Sequence, residues 1–124
     1  MANRKYDLEE RLISFSIEII NLSEELPKTY VGIHFAKQIT RSGTSPAFQY
    51  AEASAAESRK DFIHKLKIGL KELRETFVCL KIIKSKPLVN SEELEWLLKE
   101  CNELISIFNS SIKTAKKNLS SIKS

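Results

Sequence analysis

Two histidines, His34 and His64, are the side chains of this sequence best suited to acid–base or metal chemistry near neutral pH. His64 follows Asp61 by three residues, which resembles one half of the paired Glu-x-x-His motifs of di-iron bundles. No second motif of this kind occurs, and His64 comes directly after the core position Ile63, so it is expected to face solvent. The sequence therefore predicts no metal site and no cofactor.

Hydroxyl groups are the candidate nucleophiles, because Ser42, Thr44 and Ser45 cluster around the segment Gly43–Pro46. No base stands beside them in the sequence. The chain also has no phosphate-binding loop, dinucleotide glycine motif or nucleophile elbow. We expect these hydroxyls to bond backbone groups that a proline frees within a helix. The chain is predicted to have no catalytic residue and not to be an enzyme.

Basic residues offer clearer chemistry. The chain holds 20 Lys and Arg against 16 Asp and Glu, a formal net charge of +4, and the excess is concentrated in residues 59–86. A helix would align the basic groups that recur every seven residues there, and such a row could track a phosphate backbone. The candidate nucleic-acid-binding residues, called the basic row below, are Lys60, Lys67, Lys71, Arg74 and Lys81.

A second interpretation of the basic row stays open at this point. The row could be a helix flank that pairs with acidic residues of a neighbouring helix, such as Glu24, Glu25, Glu52 or Glu57. No aromatic residues interleave with the row, which argues against stacking on single-stranded bases.

The elements that must position these groups are predicted to be helices. Three Gly and three Pro in 124 residues are too few for the many tight turns of a β-sandwich or an α/β fold. Apolar residues instead recur at alternating steps of three and four, which predicts helices over about residues 7–26, 29–56, 59–85 and 91–119. Because a proline disrupts a helix interior, the second helix is expected to be kinked or broken near Gly43–Pro46.

Four amphipathic helices with short connections predict the fold class. It is all-α, an antiparallel up-down-up-down four-helix bundle that forms a single domain over residues 1–124. Cys79 and Cys101 lie within the helical pattern without metal-ligand spacing, so both are predicted to be reduced and partly buried. No run of about 18 apolar residues occurs. The chain is therefore expected to be soluble and cytoplasmic, without membrane association.

Several large apolar residues fall outside the predicted core. Ile13, Ile17 and Ile20 widen the apolar stripe of the first helix, which is expected to be covered on more than one side. Further residues of this kind on the third and fourth helices suggest self-association, because a bundle alone would leave them in water. These candidate oligomer-interface residues are Ile68, Ile82, Trp96 and Ile107.

Three segments of the chain, Gln38–Ser45, Tyr50–Ala53 and Ser58–Leu66, resemble the bacterial four-helix bundle family, also called the 23S rRNA-intervening-sequence protein family. The pairs Lys71-Glu72 and Glu75-Thr76 also fit the third helix of that family, and the helix order agrees from about residue 6 to residue 118. The resemblance implies a small cytoplasmic bacterial helical protein with no catalytic residue.

The same resemblance suggests an assembly. Members of the family are similar to the accessory variability protein of diversity-generating retroelements, a barrel-like pentamer that binds a reverse transcriptase and nucleic acid. Two hypotheses follow. The first is a non-enzymatic homo-oligomer, with a pentamer as its specific form, that contacts RNA, DNA or a nucleic-acid enzyme through the basic face of the third helix. The alternative is a structural or protein–protein interaction module with no nucleic-acid role.

Overall fold

The computed structural model describes residues 7–123, with side chains from residue 7 to residue 120. It contains four α-helices: α1 (Leu8–Glu25), α2 (Tyr30–Ser54), α3 (Arg59–Ser85) and α4 (Glu93–Lys123). The predicted helix boundaries agree within two residues, except that α4 continues four residues past its predicted end. The ends of the predicted single domain, residues 1–6 and 124, lie outside the described residues.

Each helix packs against the next one in sequence, and α1 closes the bundle by contacting α4. Within residues 7–123, the backbones of α1 and α3 lie apart, as do those of α2 and α4, so these pairs occupy opposite corners. Side chains still meet across the core, where the ring centroids of Tyr50 in α2 and Phe108 in α4 are 6.4 Å apart. The connections are short, with four residues between α1 and α2, four between α2 and α3, and seven between α3 and α4. Short connections force neighbouring helices to run in opposite directions. The predicted antiparallel four-helix bundle is confirmed.

One continuous hydrophobic core runs along the bundle and receives side chains from all four helices. Its largest fully buried side chains are Phe15 of α1 and Phe108 of α4. The three-and-four spacing of the sequence places these residues on inward faces, because 3.6 residues make one helical turn. Cys79 and Cys101 are free, as predicted, and both are buried rather than partly buried.

The second helix runs from Tyr30 to Ser54 with Pro46 inside it. Of the two predicted alternatives, a kink and a break, the break is wrong. Pro46 has no amide hydrogen, and the carbonyl of Ser42 therefore has no helical donor four residues later. The expectation that nearby hydroxyls bond a group freed by the proline is wrong for this carbonyl, because within the described residues they bond other partners. Thr44 Oγ1 donates to the carbonyl of Thr40 at 2.7 Å, and Thr76 Oγ1 of α3 lies 3.0 Å from Ser42 Oγ. Helix α3 thus packs against the segment of α2 that contains Pro46, and α2 continues through this segment without a break.

Ion pairs link neighbouring helices at their seams. Arg11 of α1 contacts two carboxylates of α4, at 2.7 Å from Glu100 and 2.9 Å from Glu103. Arg41 of α2 does the same on α3, at 3.1 Å from the buried Glu72 and 3.0 Å from Glu75. A guanidinium can contact two carboxylates at once because its donors point in several fixed directions. Each arginine therefore fixes one helix against its neighbour.

Candidate nucleic-acid interface

The basic row lies on the outer surface of α3, and all five of its side chains are exposed. The helix that carries it begins at a capped terminus, where the side chain of Ser58 accepts a hydrogen bond from the Asp61 amide at 3.0 Å. From there α3 continues for 27 residues, about 40 Å at the usual rise. Lys60 and Lys81 are consequently separated by about 31 Å along one rigid element.

None of the five basic-row residues makes an ion pair within the described part of the chain. Lysines outside the basic row pair with acidic side chains next to α3. Lys65 pairs with Glu52 at 2.8 Å, and Lys84 pairs with Glu95 of α4 at 2.7 Å. Of the acidic residues suggested as partners of the row, Glu52 is thus bound by a lysine outside it. Within the described residues the row is thus exposed and unpaired, although Glu75, which pairs with Arg41, borders the same groove as Lys71 and Arg74.

Lys116 of α4 extends the positive surface beyond the predicted row. Its ammonium group lies beside that of Lys67, and repulsion between the two cations lowers the pKa of Lys116. The helix dipole favours a lysine near the C-terminal end of α4, but it acts within one helix at a time. The contact depends on how α3 and α4 are aligned, and no pattern within either helix carries that information.

The remaining members of the row have different neighbours. Lys81 holds its ammonium nitrogen 5.1 Å from the ring centroid of Phe77, within the range of a cation–π interaction. Lys71 and Arg74 border an open groove of about 500 Å³ between α2 and α3, whose apolar walls come from Phe35, Val78, Cys79 and Ile82. The basic row is therefore not uniform along its length.

The four candidate oligomer-interface residues lie on α3 and α4 and differ in exposure. Ile82 of α3 and Trp96 of α4 are exposed, at 42% and 43% of their surface. Ile68 is half-buried on α3, and Ile107 is half-buried on α4, where it packs against the core. They lie on two helices and at different distances from the core, and only Ile82 borders the α2–α3 groove.

A larger apolar surface lies where α1 meets α2. Its exposed side chains are Ile13 at 40%, Ile17 at 50%, Ile20 at 39% and Phe48 at 65%. These residues line an open groove of about 480 Å³ together with Glu9 and small residues of α2. The three isoleucines had been identified as widening the stripe of the first helix, but Phe48 carried no signal of its own. Surfaces of this kind in soluble proteins commonly mark an interaction site.

The residues considered for acid–base or metal chemistry lie apart. His64 is exposed, as predicted, and His34 is exposed with its ring edge-on to Phe35 at 5.1 Å between ring centroids. Among the described side chains, no group of three His, Cys, Asp or Glu residues could hold a metal ion. Over residues 7–123, none of the helices combines the length and the apolar character needed to span a bilayer.

Comparison with known proteins identifies the family to which this bundle belongs. A sequence model of the 23S rRNA-intervening sequence protein family matches residues 4–110. The crystal structure at 1.70 Å resolution of a protein of unknown function from the S23 ribosomal protein family of Bacteroides thetaiotaomicron VPI-5482 is also similar. The two structures align with a TM-score of 0.78 and 34% sequence identity, over 85% of this chain and 97% of that chain. No functionally curated protein matches the chain. This chain belongs to the 23S rRNA-intervening sequence protein family.

Proposed function

We propose that this protein is a non-enzymatic helical bundle that assembles with copies of itself and binds RNA through the basic row of α3 and Lys116. The observation that carries the nucleic-acid part is that the basic row is exposed and makes no ion pair within the described residues, while Lys116 of α4 adds a cation that Lys67 repels. Two adjacent cations repel each other, and a bound phosphate would relieve that repulsion. The name of the family, which refers to an rRNA segment, makes RNA the first nucleic acid to test.

The geometry of the row supports contact with a backbone more than with bases. Its basic groups follow a straight helix, with successive heptad positions about 10 Å apart. The ring of Phe77, over which Lys81 lies, is half-buried against the core. Single-strand binding usually relies on exposed rings on which bases stack. We therefore expect binding that depends strongly on salt and weakly on sequence.

The test of RNA binding uses the double variant Lys67→Gln with Lys116→Gln. We expect wild-type protein to bind a structured RNA with an affinity that falls linearly with salt on a logarithmic plot. Loss of two phosphate contacts should reduce the slope by about 1.4 to 1.8. The matched control is Lys28→Gln with Lys37→Gln, which removes the same charge from exposed positions in the α1–α2 connection and on α2. Filter binding over a series of salt concentrations measures both.

Two outcomes would contradict this proposal. An unchanged slope in the Lys67–Lys116 variant would remove these residues from the interface. Failure of the wild-type protein to bind RNA or duplex DNA at low salt would favour the alternative, a structural or protein-interaction module. Stronger binding to duplex DNA than to RNA of equal length would overturn the choice of RNA alone.

Self-association is the second part of the proposal, and the exposed apolar surface between α1 and α2 supports it. Side chains of this size gain free energy when another surface removes them from water, at about 25 cal/mol for each square ångström buried. The family resemblance suggests a five-chain ring as the specific form. Sedimentation velocity and native mass spectrometry at micromolar protein should give the mass of five chains. A single-chain mass under the same conditions would exclude the assembly.

A further inference from the structure

Opposite charges are segregated onto two helices whose backbones lie apart. Helix α1 carries five glutamates and one arginine, and α3 carries eight Lys and Arg against three acidic residues. The single arginine of α1 is bound by two glutamates of α4, and two of the acidic residues of α3 are bound by Arg41. Because α1 and α3 occupy opposite corners, their excess charges do not neutralise each other within one chain.

On α1, acidic residues stand at both ends of the exposed apolar stripe. Glu10, Ile17 and Glu24 are seven residues apart and so share one side of the helix, which Ile13 and Ile20 widen. Glu10 and Glu24 are exposed and make no ion pair within the described residues. We call this surface the acidic–apolar face, and it consists of Glu10, Ile13, Ile17, Ile20 and Glu24 of α1 with Phe48 of α2.

The outer side of α3 has the reverse arrangement near its C-terminal end. Val78 and Ile82 are exposed at 55% and 42% and lie one helical turn apart. Lys71 and Arg74 precede them on the same side, and the exposed Lys86 follows at the end of the helix. We call this surface the basic–apolar face, and it consists of Lys71, Arg74, Val78, Ile82 and Lys86.

We propose that the acidic–apolar face of one copy packs against the basic–apolar face of a second copy. This inference rests on the proposed self-association and specifies the surfaces that make it. Contact would remove both apolar patches from water and would place each excess charge near its opposite. The two faces differ, so every copy keeps one of each free for a further neighbour, and the assembly grows head to tail into a ring or an open chain.

This interface has a consequence for the basic row. Lys71 and Arg74 would be covered by the next copy, whereas Lys60, Lys67 and Lys116 lie outside the basic–apolar face. Nucleic-acid binding would then depend mainly on the uncovered lysines of each copy. The two halves of α3 would serve different partners, with the N-terminal half for nucleic acid and the C-terminal half for the neighbouring subunit.

Charge reversal with rescue tests the interface. One variant carries Glu10→Lys and Glu24→Lys, and the other carries Lys71→Glu and Arg74→Glu. Like charges then face each other in assemblies of either variant alone, and each should self-associate at least about 100-fold more weakly than wild type. In an equimolar mixture the two variants can alternate, so that reversed faces meet reversed faces and native faces meet native faces. A five-chain ring cannot alternate without one like-charged contact, so we expect dimers, open chains or even-membered rings, with each contact restored to within about 10-fold of wild type. Sedimentation velocity reads the association, and circular dichroism checks the fold.

The control variant, Lys99→Glu with Lys117→Glu, makes the same change in net charge as Lys71→Glu with Arg74→Glu, on exposed positions of α4, and should assemble as wild type does. If both reversed variants assemble normally, a different surface makes the contact, while the proposed self-association stands. If the mixture stays dissociated, the head-to-tail pairing is wrong. If wild-type protein remains a single chain, both this interface and the proposed assembly fall.

Discussion

The two buried thiols show how residue environment sets chemistry. Burial raises the pKa of Cys79 to about 11. Burial, with a smaller contribution from the charge of Glu100, raises the pKa of Cys101 to about 12. Cys101 also donates a hydrogen bond from Sγ to the carbonyl of Leu73, at 3.3 Å. Both thiols are therefore held in the neutral form and behave as small apolar side chains.

Thiol labelling should report this directly. At near-neutral pH the native thiolate fraction should fall about 100-fold for Cys79 and about 1,000-fold for Cys101 relative to unfolded chain. We therefore expect slow alkylation of native protein, Cys79 before Cys101, and fast alkylation in denaturant, followed by mass spectrometry. The variant Cys79→Ser isolates the slower thiol. Native labelling as fast as denatured labelling would contradict the burial of both residues.

The two buried thiols make the stability of the folded protein depend on pH. A thiol whose pKa is higher in the folded state favours folding in its protonated form. That contribution is complete below the ordinary pKa of 9.0, and it is lost as pH rises through about 11 for Cys79 and about 12 for Cys101. Alkaline conditions should therefore weaken the core, where both side chains lie.

At the scale of helices, glycines allow two of the closest approaches. A Cβ placed on Gly43 of α2 would lie 2.8 Å from a side-chain carbon of Ile19 in α1. A Cβ on Gly69 of α3 would lie 2.7 Å from the ring of Phe108 in α4. Ile19 and Phe108 are fully buried, so neither can move aside easily. These glycines set how near the helices can come.

Replacement of Gly43 by alanine tests that statement. Overpacking costs about 1–3 kcal/mol, and the better helix propensity of alanine offsets about 1 kcal/mol of it. We expect Gly43→Ala to lower the free energy of unfolding by about 1 kcal/mol, and by no more than about 2 kcal/mol, measured by urea denaturation. The double variant Gly43→Ala with Ile19→Ala should lose less stability than the sum of the losses in the two single variants, because the methyl group added at position 43 occupies space that the shorter side chain at position 19 leaves empty. A Gly43→Ala protein as stable as wild type would show that the helices adjust without cost.

The sequence predicts a feature well when the residues that form it lie close together along the chain. The three-and-four spacing of apolar residues depends on residues within a few turns of one another, and it predicted the four helices correctly. The Lys67–Lys116 contact depends on the alignment of α3 with α4, which the position of Gly69 under Phe108 helps to set. The passage of α2 through Pro46 without a break likewise involves α3, whose Thr76 contacts Ser42. The apolar periodicity of a single helix predicts neither feature, because each involves two helices.

At the scale of the whole molecule, the four seams of the bundle are unequal. Helix α1 contacts α4 over the smallest of them, whereas α2 and α3 share the largest. The α1–α4 seam carries Arg11, which bridges two glutamates and whose pKa is raised chiefly by its hydrogen bond to Glu100. An element held by a small seam is expected to open before the rest of the structure.

Hydrogen exchange in an Arg11→Leu variant tests this order of opening. The side chain of Glu100 is only 13% exposed, so the loss of its partner leaves a poorly solvated carboxylate at the seam. Such losses cost about 1–3 kcal/mol. We expect amides of α1 to exchange about 5- to 150-fold faster, with smaller changes in α3. The comparison is Arg41→Leu, which removes a similar bridge from the α2–α3 seam. Equal acceleration throughout the chain in the Arg11 variant would show that α1 does not open separately.

The placement of acidic α1 and basic α3 at opposite corners makes net charge a poor guide to how this protein behaves on a charged matrix. A formal charge of +4 suggests retention on a cation exchanger alone. A molecule with separated charges can turn either side toward a charged surface. Because salt screens interactions beyond about 10 Å, the charges nearest the surface determine binding more than the net charge does. This protein should therefore be retained at low salt by cation-exchange and anion-exchange resins at the same pH.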